Sequence, residues 1–288
     1  MLRDISHWEM IGYGGKSTLD KEELLELSTR ERYLIKYPRQ FELGISWEDI
    51  TELIAADIGR LLQLKMMDVE IVTRKNRRGS LLKNIIPVGV MNEEGGVLLS
   101  DVEDYDTLLE TNLKGIDLID FGFSCIKQLD FWVEIREQFI EMNFFDVLIG
   151  NQDRHPFNWM ILFHNDGRRE FSTIYDNGAS LGFRFDDIQL MDYISKENKV
   201  VKYIRSAKVK AGLFERKSVK AIDLIKYMKH QFPNETQGIA IKIEQFDMQR
   251  FHEILEQNSI LTTTQKEWLK LIISLRQQSI LKWYREGE

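Results

Sequence analysis

Residues 151–159 read NQDRHPFNW, a polar stretch interrupted by one proline. The apolar run MILF follows at 160–163, and after a polar turn the chain reads IYDNG at 174–178. Asp153 and Asn158 are five positions apart, and Asp176 follows eighteen positions after Asn158. Carboxylate and amide oxygens hold magnesium, and a carboxylate can accept the proton of a hydroxyl. The spacing therefore predicts one base and two metal ligands from two neighbouring segments.

This set of residues is what phosphoryl transfer from ATP requires, because magnesium neutralises charge on the phosphate oxygens while a base orients the acceptor hydroxyl. We expect Asp153 to be the catalytic base, and Asn158 and Asp176 to be the metal ligands. An Asp-x4-Asn pair alone is weak evidence for a catalytic site, since Asx residues in loops usually form turns. The turn signal Asn177-Gly178 strengthens the set, because it would end a strand and leave the Asp176 carboxylate projecting. The sequence thus predicts a kinase with ATP and Mg²⁺ as cofactors.

A lysine lies in an alternating strand pattern at residues 32–37. This residue, Lys36, is followed sixteen positions later by Glu52, which falls in the next helical pattern. In kinases such a lysine contacts the α- and β-phosphates and is locked by an ion pair with the glutamate. We expect both residues to belong to the cofactor site. A solvated edge lysine is the alternative for Lys36, and Glu48, one turn earlier, competes with Glu52.

A glycine-containing loop precedes that strand, in the segment GYGGKST at 12–18. Gly14, Gly15 and Ser17 are predicted to cover the phosphates of a bound nucleotide. The segment is not a P-loop, because the first glycine of that motif would fall at Met10 and no apolar strand precedes it. His155 is also assigned to the cofactor site, where we expect it to brace its own loop.

The tripeptide Asp-Phe-Gly at 120–122 resembles the magnesium-binding tripeptide of protein kinases. It precedes the Asp153 loop, whereas the kinase tripeptide follows the catalytic loop. Chain order therefore excludes it, and Asp176 takes its role. The five histidines show no spacing typical of zinc ligands, so no zinc site is predicted.

Hydrophobic periodicity predicts an α+β fold with two lobes, similar to that of protein kinases. Residues 1–100 form a small, mostly β N-lobe with the glycine-containing loop, the ATP lysine and a helix that opens at Ser46 as its N-cap. Residues 101–288 form a larger helical C-lobe with the catalytic loop and the metal-binding turn. Helical periodicity covers 130–149, 218–231, 247–258 and 264–285, and the segment 262–264 offers an N-cap for the last helix.

The composition bounds the classes of protein that fit. The chain has 288 residues, a net charge of −7 and a single cysteine, Cys125. The single cysteine excludes an internal disulfide framework. The negative net charge argues against general nucleic-acid binding. The absence of an apolar run of membrane length and of a signal-like N-terminus predicts a cytoplasmic protein, with delivery as a secreted effector left open. Eight basic residues between Lys199 and Lys220 face one acid, so this segment is either a solvated face or a docking site for an acidic partner.

The run GNQDRHPFNW at 150–159 with YDNG at 175–178 resembles the signature of the HipA-like serine/threonine kinases. The core Asp-Arg-His-x-x-Asn is distantly similar to that of phosphoinositide 3/4-kinases. The resemblance implies a bacterial protein and a compact member of the family, without the extra N-terminal region of longer members. It also implies toxin-like action in toxin–antitoxin pairs, a translation-related protein substrate, an antitoxin or regulatory partner, and autophosphorylation on Ser17 or Thr18.

Two alternatives to a protein kinase stay open at this point. A phosphoinositide or small-molecule kinase could use the same site, with the basic segment 199–220 binding phosphorylated lipid head groups. A nucleotide-binding regulator without transfer activity is the second alternative, since folds can be used without their chemistry. The presence of Lys36, Asp153, Asn158 and Asp176 together argues against the regulator.

Overall fold

A computed structural model describes residues 2–14, 19–41 and 44–286 of the chain. Its strands, in chain order, are β1 (Arg3–Asp4), β2 (Glu9–Tyr13), β3 (Lys21–Leu25), β4 (Arg32–Lys36), β5 (Gln40–Phe41), β6 (Gly44–Ile45), β7 (Val69–Arg74), β8 (Arg77–Lys83), β9 (Met91–Glu94), β10 (Met160–Phe163), β11 (Arg169–Phe171), β12 (Lys208–Val209) and β13 (Val219–Lys220). Its helices are α1 (Glu48–Leu61), α2 (Gly95–Ser100), α3 (Tyr105–Glu110), α4 (Gly115–Ile126), α5 (Trp132–Ile149), α6 (Asp187–Ile194), α7 (Glu197–Arg205), α8 (Ala221–Gln231), α9 (Pro233–Glu244), α10 (Met248–Gln257) and α11 (Thr263–Arg285).

The first part of the chain forms a six-stranded sheet with the order β1-β7-β8-β4-β3-β2. Neighbouring strands are antiparallel, except that β1 is parallel to β7. Alternation along the strands turns Leu24, Ile35 and Leu81 into one small core. The two-residue turn Lys75-Asn76 between β7 and β8 has positive φ at both positions, which suits the twist of a tight hairpin. This sheet positions Lys36 at the end of β4.

Helix α1 packs against β7 and β8 and lies beside the cleft. Its residues Ile50, Ile54 and Ile58 recur at helical spacing and are buried. Ser46 is not the N-cap that the sequence predicts. The N-cap position is Trp47, which makes no side-chain capping bond, because the Ser46 hydroxyl donates instead to the Glu48 carboxylate at 3.0 Å.

A second sheet has the order β11-β10-β9, and its three strands are antiparallel. Strand β9 pairs with β10 although they are more than sixty residues apart in sequence, and α2 contacts a 3-10 turn at Pro156–Asn158. The chain therefore reaches the second sheet before residue 100. The division into lobes at residue 100 stays a prediction.

The later part of the chain is mainly helical and contains the larger core. Helix α5 is buried on almost all sides over its last three turns, and α9, α11 and β11 contact it. Helix α11 begins with a capping box, in which the Thr262 side chain and Gln265 satisfy each other's backbone N–H groups. The predicted α+β fold with a β lobe and a helical lobe is confirmed. Among the described helices, none combines the length and the apolar character needed to cross a bilayer.

Candidate active site

A cleft of about 640 Å³ lies where the six-stranded sheet and helix α1 meet the helical part of the chain. The predicted site residues that line it are Lys36, Glu52, Asp153, His155, Asn158 and Asp176. They come from a strand, a helix, a loop and a turn that are widely separated in sequence. The structure thus brings six of the nine predicted site residues to one cavity.

The three remaining predicted residues belong to the glycine-containing loop. Gly15 and Ser17 lie outside the described residues. Gly14 is described and follows β2. A Cβ atom there would come within 2.8 Å of the Lys21 and Leu34 side chains, both of which line the cleft. The absence of a side chain at Gly14 therefore allows these two residues their present packing.

The segment 151–159, predicted to be the catalytic loop and called so below, begins where α5 ends. Gly150 terminates the helix in the left-handed region with φ 64°, which glycine adopts at little cost. The Asn151 side chain then accepts the backbone N–H of Asp153 at 3.0 Å, and the Asn158 amide donates to the Asp153 carbonyl at 2.8 Å. The backbone of Asp153 is held from both sides. Because Asn158 uses its Nδ2 in this contact, its Oδ1 stays available as a ligand.

A buried ion pair joins this loop to its surroundings. The Arg154 guanidinium makes a bidentate contact with Asp146 of α5, at 2.9 and 3.1 Å, and both side chains are almost fully buried. The same guanidinium donates to the Asn158 carbonyl at 2.7 Å, to the Tyr175 carbonyl, and to the Asn177 side chain at 2.6 Å. One arginine therefore ties helix α5, the catalytic loop and the turn around Asp176 together.

Asp176 lies in that turn with φ 58°, a left-handed conformation that Asp tolerates better than most residues. Its Oδ1 accepts the Lys36 ammonium at 2.8 Å. Burial alone would raise the pKa of the Asp176 carboxyl, but the Lys36 charge and hydrogen bond outweigh it and hold that pKa below its usual value. Burial would lower the pKa of Lys36, yet the Asp176 and Glu52 carboxylates raise it. Both groups are therefore charged at neutral pH.

Glu52 does not form the direct ion pair with Lys36 that the sequence predicts. Its carboxylate accepts the backbone N–H groups of Asn177 at 2.8 Å and Gly178 at 2.9 Å. These buried donors need an acceptor, and Asp176 already satisfies Lys36, so Glu52 acts on the lysine only through its charge. The competitor Glu48 is engaged elsewhere, since it accepts the Arg39 backbone N–H at 2.7 Å.

Gly178 explains why α1 can approach the turn so closely. A Cβ atom at this position would lie 2.9 Å from the Glu48 carbonyl and 3.2 Å from the Glu52 carboxylate. The Thr51 hydroxyl also donates to the Gly178 carbonyl at 2.7 Å. The strand end that the sequence predicts at Asn177-Gly178 is wrong, because Ile174 makes only an isolated bridge to Met66 and residues 172–178 form no strand. The signal marks a close contact with helix α1 instead.

Three functional candidates were not singled out from sequence. Lys210 donates to the Asp153 carboxylate at 2.7 Å, although it is only one of eight basic residues in its segment. Asp146 is the partner of Arg154, and an acid inside the apolar run FFDVLI at 144–149 is the signal that could have revealed it. Lys21 lines the cleft and is the direct cross-strand neighbour of Lys36.

The basic segment 199–220 is partly used inside the protein. Lys199 pairs with Asp192, Lys210 pairs with Asp153, and Lys217 donates to backbone carbonyls of α3. The side chains of this segment that stay exposed are Lys202, Arg205, Lys208, Arg216 and Lys220. Lys208 and Lys220 face each other across β12 and β13, an arrangement that like charges disfavour.

Comparison with known proteins finds a kinase with similar sequence and structure. The chain matches no established family profile. It is 21% identical over 281 residues to the serine/threonine-protein kinase CtkA of Helicobacter pylori, covering 94% of this chain and 82% of that protein. The crystal structure of the proinflammatory kinase CtkA superposes with a TM-score of 0.79 over 100% of this chain and 98% of CtkA.

A more distant match is HipA of Shewanella oneidensis, solved with HipB and operator DNA, with a TM-score of 0.60 at 12% identity over 99% of this chain and 69% of HipA. The chain has the HipA-like kinase fold. The resemblance drawn from residues 150–159 and 175–178 is confirmed, and a kinase is the enzyme class that this similarity supports. The distant similarity of the Asp-Arg-His-x-x-Asn core to phosphoinositide kinases stays a prediction.

Proposed function

We propose that this chain is an ATP- and magnesium-dependent kinase that transfers the γ-phosphoryl group to a serine or threonine of a protein. One observation carries the proposal: Lys36, Asp153, Asn158 and Asp176 line a single cleft. A lysine for the phosphates, a base and two oxygen ligands are the parts that phosphoryl transfer needs. The similarity to a serine/threonine-protein kinase over nearly the whole chain supports the same conclusion.

The donor set fits magnesium. Asn158 Oδ1 and the second carboxylate oxygen of Asp176 make no hydrogen bond within the described residues, so both are available as hard oxygen ligands. The described residues contain no cluster of three or more acidic, histidine or cysteine ligands. Magnesium in nucleotide sites uses one or two protein ligands plus phosphate oxygens, so this sparse set is the expected one. When bound, the ion would neutralise negative charge on the phosphates.

The cleft also offers groups for a nucleotide. The Lys36 ammonium points into it from the sheet, and the apolar side chains of Leu34, Met67 and Leu82 line its wall, where a flat base could pack. The Nδ1 atom of His155 is buried and has no hydrogen-bond partner among the described residues. Burial lowers the pKa of His155, so a neutral ring lines the cleft.

Asp153 supplies the base in this proposal. One of its oxygens contacts Lys210, and the other makes no hydrogen bond within the part of the chain that the structure describes. The side chain lines the cleft and is 49% exposed. The free oxygen would accept the proton of the acceptor hydroxyl. The hydroxyl oxygen would then bond to the γ-phosphorus as the bond to the β–γ bridging oxygen breaks, and ADP would leave.

The test uses γ-labelled ATP with purified protein. Asp153→Asn and Asp176→Asn should each lower labelled transfer by about 10²-fold or more, because the first removes the proposed base and the second removes a proposed metal ligand that also pairs with Lys36. Asp192→Asn is the matched control, since Asp192 pairs with lysines outside the cleft. Equal turnover in wild type and either cleft variant would refute the assignment. Label that enters phosphoinositides in vesicles, but no protein, would favour the lipid kinase.

We further propose that the exposed part of the basic segment docks an acidic protein substrate. Three of its five exposed cations, Lys202, Arg205 and Lys220, line one surface groove. We also propose toxin-like action on a translation-related protein and pairing with an antitoxin. Growth arrest on expression of the wild-type protein, but not of Asp153→Asn, would support toxin-like action.

Autophosphorylation on Ser17 or Thr18 is the last part of the proposal. Both residues lie outside the described residues, but Leu19, which follows them, lines the cleft. A phosphate placed there would repel the phosphates of a bound nucleotide. Mass spectrometry after incubation with ATP should find it in wild type and not in Asp153→Asn, and two unmodified residues in an active wild type would exclude it.

A further inference from the structure

The segment between β12 and β13 folds back onto the catalytic loop. The Gly212 backbone N–H donates to the Arg154 carbonyl at 2.8 Å, and the Gly212 carbonyl accepts the Trp159 indole N–H at 2.8 Å. Ala211 and Gly212 have φ of 58° and 67°, so the chain turns sharply here. A Cβ atom at Gly212 would come within 3.1 Å of the Trp159 ring, which shows how close the approach is. The backbone two residues after Lys210 is thus fixed to Arg154 and Trp159 of the loop.

The Lys210 side chain uses this placement to reach the predicted base. Its ammonium lies 2.7 Å from Oδ1 of Asp153, and 20% of the side chain is exposed. The backbone of Asp153 is already held by Asn151 and Asn158, so its side chain is the part that remains free to rotate. Lys210 therefore selects one orientation of the carboxylate.

We propose that Lys210 is a positioning residue for phosphoryl transfer, a role that rests on the proposed kinase function. Its ammonium holds one oxygen of Asp153 so that the other faces the acceptor hydroxyl. A carboxylate that is already oriented needs no reorganisation during the reaction, and such preorganised groups favour the transition state over the ground state.

An ordinary surface ion pair is the competing explanation, since exposed Lys–Asp pairs contribute little. The chain provides a matched example in Lys196 and Asp192, where the lysine side chain is 63% exposed and the pair lies outside the cleft. Lys196 reaches its partner from one helical turn away and is not held by backbone contacts to a loop. The two lysines can therefore be compared directly.

The experiment compares Lys210→Met, Lys210→Arg and the control Lys196→Met in the full chain. Steady-state transfer with γ-labelled ATP gives kcat and KM, fluorescence titration gives nucleotide affinity, and urea unfolding gives stability. We expect Lys210→Met to lower kcat by about 10²-fold with KM for ATP and nucleotide affinity within about threefold of wild type. Lys210→Arg should restore kcat to within about tenfold, since it keeps the charge. Lys196→Met should leave all values unchanged.

A second variant separates positioning from a structural effect. In an Asp153→Asn background, Lys210→Met should change the residual rate by less than about threefold, because residues that act as a unit are not additive. A kcat of Lys210→Met within about threefold of wild type would overturn the proposal. So would a loss that Lys210→Arg does not recover and that is matched by weaker nucleotide binding. A wild-type protein without any transfer would instead overturn the proposed function, and this proposal with it.

Discussion

Replacing Arg154 with lysine tests whether one buried guanidinium holds the active site together. The arginine makes five hydrogen bonds, two to Asp146 and one each to two carbonyls and to the Asn177 side chain. An ammonium keeps the positive charge beside Asp146 but has three donors on a compact head, so it cannot reproduce the planar fork. The variant therefore removes hydrogen bonds without leaving an uncompensated charge.

The expected loss of stability follows from the acceptors that are left unpaired. At least two of the five contacts must disappear, and a buried acceptor without a partner costs about 1–3 kcal/mol. We expect the free energy of unfolding of Arg154→Lys to fall by about 3 kcal/mol, a large share of the roughly 5–15 kcal/mol that domains have in total. Because the same contacts position Asn158 and the turn around Asp176, kcat should fall by about tenfold or more.

Urea unfolding at fixed pH measures this loss, with the midpoint and the m-value fitted separately. Arg169→Lys is the matched control. Arg169 also bridges two carboxylates, those of Asp130 and Glu134, but its side chain is 34% exposed. The control should lose no more than about 0.5 kcal/mol, as exposed pairs do. The reasoning is refuted if Arg154→Lys loses as little as the control does.

Two further predictions concern ionisable groups away from the cleft chemistry. Burial alone would raise the pKa of Glu22, but the hydrogen bond from Arg74 holds it below its usual value. A depressed folded-state pKa contributes stability that is present above the unfolded value of about 4.3 and lost as pH falls through the folded pKa. Glu22→Gln should therefore flatten the decline of stability on the acid side of about pH 5, and an unchanged slope in urea titrations would contradict this. Cys125 is fully buried, which raises the pKa of its thiol to about 11, so native protein at pH 8 should react with Ellman's reagent at least about 100-fold more slowly than unfolded protein. Rapid native labelling would contradict the burial.

Features set by neighbouring residues could be predicted from the sequence. Asp153 and Asn158 share one short loop, and Asp176 precedes a turn signal, so local chemistry and spacing were enough to group them. Strand β4 and helix α1 show their own periodicities, which placed Lys36 and Glu52 on the correct elements. The capping box of α11 is likewise a local pattern.

The choice of partner among several similar groups depended on the tertiary structure. The sequence predicted that Lys36 pairs with Glu52, but the fold places Asp176 nearer and gives Glu52 two backbone donors to satisfy. Lys210 meets Asp153 only because a turn 57 residues later is fixed to the catalytic loop. Composition and periodicity describe which residues an element contains and which face it buries. They carry no distances between elements, and an ion pair or a buried hydrogen bond depends on such distances to within a few tenths of an ångström.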